Sequence, residues 1–209
     1  GLYSWAAAVG ECSALLEPLR KVQLPLNRRR AARPQETGND CRGCTLGLII
    51  DNASGRAAPS AATRKFPALT EALCAACRHA DPEFRFTSIQ VNLNAKYRLH
   101  TDGFDAGPSR MLCCGDFSGG RLWIHGSASR TWHPIEALNR WIAFDGRELH
   151  LTEDWEGLER YSLVYFVSPG WSSRGLAPEA RHSLEALGFP WPSGEATFRV
   201  PLDDPSERW

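Results

Sequence analysis

The 209-residue sequence has no net charge, a single methionine, only three lysines and no long apolar run. Each shortage removes a class of protein. The strongest apolar stretches, residues 46–50 and 161–167, fall far short of the ~18–20 residues that a membrane span needs. Residues 1–13 lack a basic start followed by an apolar core, so no secretory signal is read. The chain opens at Gly1 and its methionine is Met111, which leads us to expect a piece of something longer. With 43% hydrophobic and 23% charged residues, it is neither disordered, collagenous nor a coiled coil.

What charge there is lies unevenly. Residues 1–80 carry 11 basic and 6 acidic groups, and the remainder carries 13 and 18. Arg28, Arg29, Arg30 and Arg33 make most of the basic excess. Such a stretch fits either a polyanion partner or a solvated tether, and overall neutrality favours the tether. Seven cysteines, an odd number, in a chain without a secretion signal read as reduced thiols and an intracellular setting, nuclear or cytoplasmic. The pairs Cys41–Cys44 and Cys74–Cys77 have zinc-like spacing, but 29 residues separate them and the second pair sits in a helical pattern. They are read as packed thiols, not structural zinc.

Apolar spacing predicts a helix over 1–19 until Pro18, a loop over 25–44, a strand at 44–50, a loop over 51–62 and a helix over 67–79. From Phe84 to Val167 short β-rich runs alternate with turns, and Phe117-Ser118-Gly119-Gly120 reads as a hairpin turn. This spacing implies a sandwich or closed barrel, mainly β with flanking helices. A short helix over 178–187 and a Pro/Trp-rich tail follow. The division is one domain over 1–209: an N-terminal helical and loop extension (1–83), a β core with the site (84–168) and a C-terminal wrap (169–209).

The chemistry concentrates in the β-rich part. In His100-Thr101-Asp102, residues i and i+2 of an extended chain project to one side, as two adjacent ligands to one metal would. Alone, such a triplet is more often a surface turn. His150, in a later strand, supplies a third ligand, and two histidines with one carboxylate leave open positions on a non-haem Fe(II). A hairpin symmetric about Trp155 places Arg160 opposite His150, with Ser162 on the same face. The neighbours of Arg160 are too apolar for an exposed strand, so it is read as buried and in need of an anion.

These residues together resemble a family. H-x-D, some 50 residues, His, then ten residues to R-x-S is similar to the Fe(II)/2-oxoglutarate-dependent oxygenases. The resemblance implies a double-stranded β-helix (jelly-roll, cupin-like) core. It also implies Fe(II), 2-oxoglutarate and O2 as cofactor and co-substrates. It makes His100, Asp102 and His150 the iron ligands, Arg160 and Ser162 the partners of the distal 2-oxoglutarate carboxylate, and Tyr97 a further co-substrate contact. The segment 115–124, Gly-Asp-Phe-Ser-Gly-Gly-Arg-Leu-Trp-Ile, is similar to a hairpin of prolyl-hydroxylase-like and TET/JBP-like members.

Arginine followed by serine looks more like the TET/JBP enzymes that oxidise nucleobase methyl groups, which implies DNA as a partner. Asp105 could then accept a hydrogen bond from a base amino group, with Asn94 a second substrate contact. A protein side-chain or small-molecule hydroxylase and a non-catalytic jelly-roll binding module remain the alternatives. His125 and His133 are read as structural or surface residues.

Overall fold

Alternation of Ile89 and Val91 with Gln90 and Asn92 is the pattern of a strand with two unlike faces. Here both faces are buried. In the computed structural model, which describes residues 2–27, 32–34, 40–51, 54–102, 105–172 and 176–193, this strand lies near the middle of the larger of two facing sheets. In chain order the elements are β1 (Tyr3–Ala6), α1 (Glu11–Arg20), β2 (Ala32–Pro34), β3 (Arg42–Ile50), β4 (Ala57–Pro59), α2 (Ala61–Lys65) and α3 (Pro67–Ala80). Then come β5 (Ser88–Leu93), β6 (Ala95–Tyr97), β7 (Ser109–Gly119), β8 (Leu122–Gly126), β9 (Thr131–Ile135), β10 (Arg140–Phe144), β11 (His150–Thr152), β12 (Trp155–Phe166) and α4 (Pro178–Ala186).

The larger sheet runs β1-β10-β7-β12-β5-β3-β4, the smaller β11-β8-β9, and β2 pairs with β6. Neighbours pair antiparallel throughout. Three of the seven strands of the larger sheet precede residue 84. On its outer face Leu46, Ile89, Val91, Leu112, Cys114 and Tyr165 pack with Leu15 and Leu19 of α1 and Leu69, Leu73, Cys74 and Cys77 of α3. On its inner face Met111, Cys113, Ile142 and Phe144 meet Leu122 and Ile124 of the smaller sheet. Adjacent Cys113 and Cys114 thus face opposite ways and both are fully buried. The larger sheet therefore has a helix-covered back and a barrel-like interior.

The N-terminal helix expected over 1–19 is half strand. Trp5 pairs with Trp141 at the sheet edge, their rings stacked 6.2 Å apart, so tertiary pairing overrides the helical spacing. The helix begins only after Gly10 and runs through Pro18. The loops expected over 25–44 and 51–62 contain β2 and β4, each three residues long and held by a neighbouring strand. The described end of the tail packs inward, with Phe189 and Trp191 in the helix-side core.

Two expected hairpins are crossings between sheets. The turn at 117–120 links β7 of the larger sheet to β8 of the smaller, with Gly119 and Gly120 at φ of +73° and +68°. The turn near Trp155 likewise takes the chain from β11, paired with β8, to β12, paired with β7 and β5. His150 and Arg160 are therefore not opposed on one ladder; Arg160 pairs with Gly115.

Candidate active site

Arg160 reaches the interior by a different route from the predicted hairpin. The register of β12 against β7 shifts between Gly157 and Glu159, leaving Leu158 as an extra, exposed residue. Side chains alternate along a strand, so one inserted residue exchanges its faces. Trp155 and Arg160, five positions apart, are both buried for this reason. Gly157 makes the bulge possible: its φ is +141°, and a Cβ there would lie 2.1 Å from the Asp116 carbonyl oxygen. Ser162 and Val164 continue the inward row.

His100 meets His150 across an antiparallel bridge in which each backbone N–H donates to the other residue's carbonyl at 3.0 Å. The Asp102 N–H donates to the Gly146 carbonyl at 2.7 Å, and a Cβ on Gly146 would come within 3.3 Å of the Asp102 carboxylate. Backbone contacts thus bring the three side chains together. His100 Nε2 lies 3.8 Å from Asp102 Oδ1, and His150 Nε2 lies 3.7 Å from Asp102 Oδ2. Among the described residues, this is the group of ligating side chains arranged to hold a metal ion. The two CxxC pairs form no such group.

The donor chemistry fits a divalent metal. His100 Nδ1 lies 2.7 Å from the Arg98 carbonyl, and His150 Nδ1 lies 2.8 Å from the Glu148 carbonyl. A carbonyl only accepts, so both Nδ1 atoms carry protons and both Nε2 lone pairs face Asp102. Burial lowers the pKa of His150, and the nearby His100 lowers it further, which keeps the ring neutral as a ligand must be. Tyr97 stacks on His100 at 5.3 Å, and Phe144 sets its edge against His150 at 5.5 Å.

The triad opens on a cavity of about 160 Å³, far above the ~10–15 Å³ needed by one water. Arg160 lines it while being only 2% exposed. Its guanidinium donates to the carbonyls of Gly120 (3.1 Å) and Ala95 (3.5 Å) and to the Cys113 sulfur (3.5 Å), and it lies 5.3 Å from the Phe117 ring centroid. None of these partners is charged. Among the described residues Nε has no hydrogen-bond partner, and no carboxylate forms an ion pair with the group. A buried cation so placed fits an anionic end of a small molecule.

No family model matches the sequence, and no curated protein matches it. Solved structures do. An oxidoreductase of the 2OG-Fe(II) oxygenase family from Burkholderia pseudomallei aligns with a TM-score of 0.56 and 17% identity, over 81% of this chain and 86% of that one. NgTET1, solved in complex with 5mC DNA, aligns at 0.55 and 13%, over 88% and 80%. OsALKBH1 aligns at 0.51 and 11%, over 80% and 96%. The chain has the 2OG-Fe(II) oxygenase fold.

Within that fold the other predicted residues separate. Tyr97, Ser162 and Asp105 line the cavity with the triad and Arg160. Asn94 does not. It takes a left-handed conformation (φ +56°) between β5 and β6, and its side-chain oxygen accepts the backbone N–H of Arg160 at 2.9 Å. Asn94 supports Arg160 from behind and lies outside the cavity lining. His133 is held by Ser129 and Thr131 at 3.0 Å each, and His125 packs against Trp132. Arg28, Arg29 and Arg30 lie outside the described residues.

Sequence reasoning missed Gln90 and Asn92, which line the cavity on β5. Their signal was present as polar residues alternating with Ile89 and Val91, but that alternation ordinarily marks a solvent face. Among the described residues, no helix is long and apolar enough to cross a membrane.

Proposed function

We propose that the chain is an Fe(II)- and 2-oxoglutarate-dependent dioxygenase that hydroxylates its substrate with release of succinate and CO2. The observation that carries this is one cavity with a His-Asp-His group and, in its wall, a buried arginine that has no ionic partner among the described residues. Bound there, iron with 2-oxoglutarate and O2 would supply the oxidising power. The residues of the chain bind and orient. Nε2 of His100 and of His150 and the Asp102 carboxylate present lone pairs to the metal. Arg160 and Ser162 hold the far carboxylate of the co-substrate, and Tyr97 braces His100. Met111, Leu122, Phe144 and Val164 keep the cavity wall apolar and limit water.

We further propose a nucleobase methyl group in DNA, 5-methylcytosine or thymine, as the substrate. Arginine with serine two residues later, the glycine pair at 119–120 and the likeness to a chain solved with 5mC DNA support this reading. A base must leave the duplex to enter such a cavity, at a cost of a few kcal/mol. Asp105, in the cavity wall, would accept from the exocyclic amino group of 5-methylcytosine, and the Arg28–Arg33 stretch would contact phosphates. The test is succinate release across methylated DNA, RNA, peptides and metabolites. Release driven by methylated DNA and suppressed by salt supports the proposal. Release driven only by a peptide or metabolite replaces the substrate with a side-chain or small-molecule hydroxylation. No release with any of them, despite bound metal and co-substrate, favours a binding module.

A further inference from the structure

Asn92, buried beside Arg160 in the cavity wall, sits at the centre of a hydrogen-bond network whose polarity can be read atom by atom. The direction is set at Gln90. One side-chain terminal atom of Gln90 lies 3.2 Å from the Val91 carbonyl, which only accepts, so that atom is Nε2. The same Nε2 lies 2.9 Å from Asn92, which must therefore present Oδ1 to it. Tyr97 OH (2.8 Å) and Asn27 Nδ2 (3.3 Å) donate to that oxygen as well. At its other end Gln90 Oε1 accepts from Thr45 Oγ1 at 2.8 Å.

With its oxygen turned to these donors, Asn92 points Nδ2 at Ser162 Oγ, 3.2 Å away. A hydroxyl that accepts from an amide has its single proton free for another acceptor. Ser162 lines the cavity, so that proton is available to an occupant. We infer that Gln90 and Asn92 are positioning residues that fix Ser162 as a hydrogen-bond donor, which makes this end of the cavity, with Arg160, selective for a carboxylate. The inference rests on the proposed co-substrate reading. It adds a reason for the selectivity: every polar group offered there by Arg160 and Ser162 donates and one is a cation, so an anionic acceptor is favoured.

Calorimetric Kd values for 2-oxoglutarate, taken on the Mn(II)-loaded full chain, test this in a double-mutant cycle. Asn92→Asp sets an acceptor against Ser162 and turns its proton away from the cavity. We expect roughly tenfold weaker binding for Asn92→Asp and for Ser162→Ala, the worth of a hydrogen bond to a charged group. The double variant should lose about tenfold, since both changes remove the same bond. A product of the two losses would mark simple charge repulsion by the new carboxylate. That result, or an Asn92→Asp chain binding like the parent, overturns the relay and leaves the co-substrate reading standing. Side-chain amide NMR of unliganded Ser162→Ala gives a second measurement that needs neither co-substrate nor the Asn92 variant. Shifted Asn92 Nδ2 signals support the relay, and unshifted signals overturn it. A parent that binds no 2-oxoglutarate overturns the proposed function, and the NMR result then decides the relay alone.

Discussion

His100 and His150 are joined main chain to main chain, each N–H donating to the other's carbonyl at 3.0 Å, while their Nε2 atoms converge on one carboxylate. The side chains that would hold a metal are thus not the ones that hold the strands together. This separates function from folding at the site and makes its residues testable by substitution.

Arg160 is the clearest case. It is a buried cation without an ionic partner among the described residues, and such a group contributes little to stability. Arg160→Met fills similar volume and removes the charge. We expect thermal stability equal to or above that of the parent, with 2-oxoglutarate affinity reduced about 100-fold, or ~3 kcal/mol. Calorimetry beside a melting curve checks both. Unchanged affinity would remove the anion role.

Gly157 should behave in the opposite way. Its φ of +141° and the 2.1 Å approach of a Cβ to the Asp116 carbonyl leave no room for a side chain. Gly157→Ala should cost about 2 kcal/mol or more, measured by denaturant unfolding. Because the bulge sets which face of β12 carries Arg160, surviving folded protein should also bind 2-oxoglutarate poorly. A variant as stable as the parent would contradict the reading of the bulge.

Five of the cysteines, Cys41, Cys44, Cys74, Cys77 and Cys113, should be inert. Burial pushes the Cys44 thiol up to about 11 and also raises those of Cys41, Cys74, Cys77 and Cys113. At pH 7.5 these thiols are protonated and poor nucleophiles, so iodoacetamide should label these five slowly in the native chain and all seven cysteines once it is denatured. The sign for stability follows. The native state holds these protons more tightly than the unfolded state, so stability should fall as pH rises above the ordinary thiol value of 9.0 towards 11. Rapid native alkylation of Cys44 would contradict this.

The legible part of the site was local. The i, i+2 relation of His100 and Asp102, and the apolar company of Arg160, can be read from neighbours in sequence. The path by which Arg160 turns inward was not, because a one-residue bulge at Leu158 and a sheet crossing near Trp155 depend on partners far along the chain. A hairpin and a crossing use the same turn residues. Gln90 and Asn92 were missed for a related reason: polar residues alternating on a strand look alike whether they face water or a polar cavity. At the N-terminus, edge pairing of Trp5 with Trp141 likewise lies beyond local periodicity.

The central claim is that His100, Asp102 and His150 hold one divalent metal. Its most direct test is anaerobic titration of Fe(II), or Mn(II) as a stand-in, into the parent and His100→Ala chains, with circular dichroism of both. The predicted result is one ion per parent chain and none at the same concentrations in His100→Ala, with the β signal unchanged because the His100–His150 bridge is made by the backbone. Stoichiometric metal binding by a folded His100→Ala chain would contradict the account.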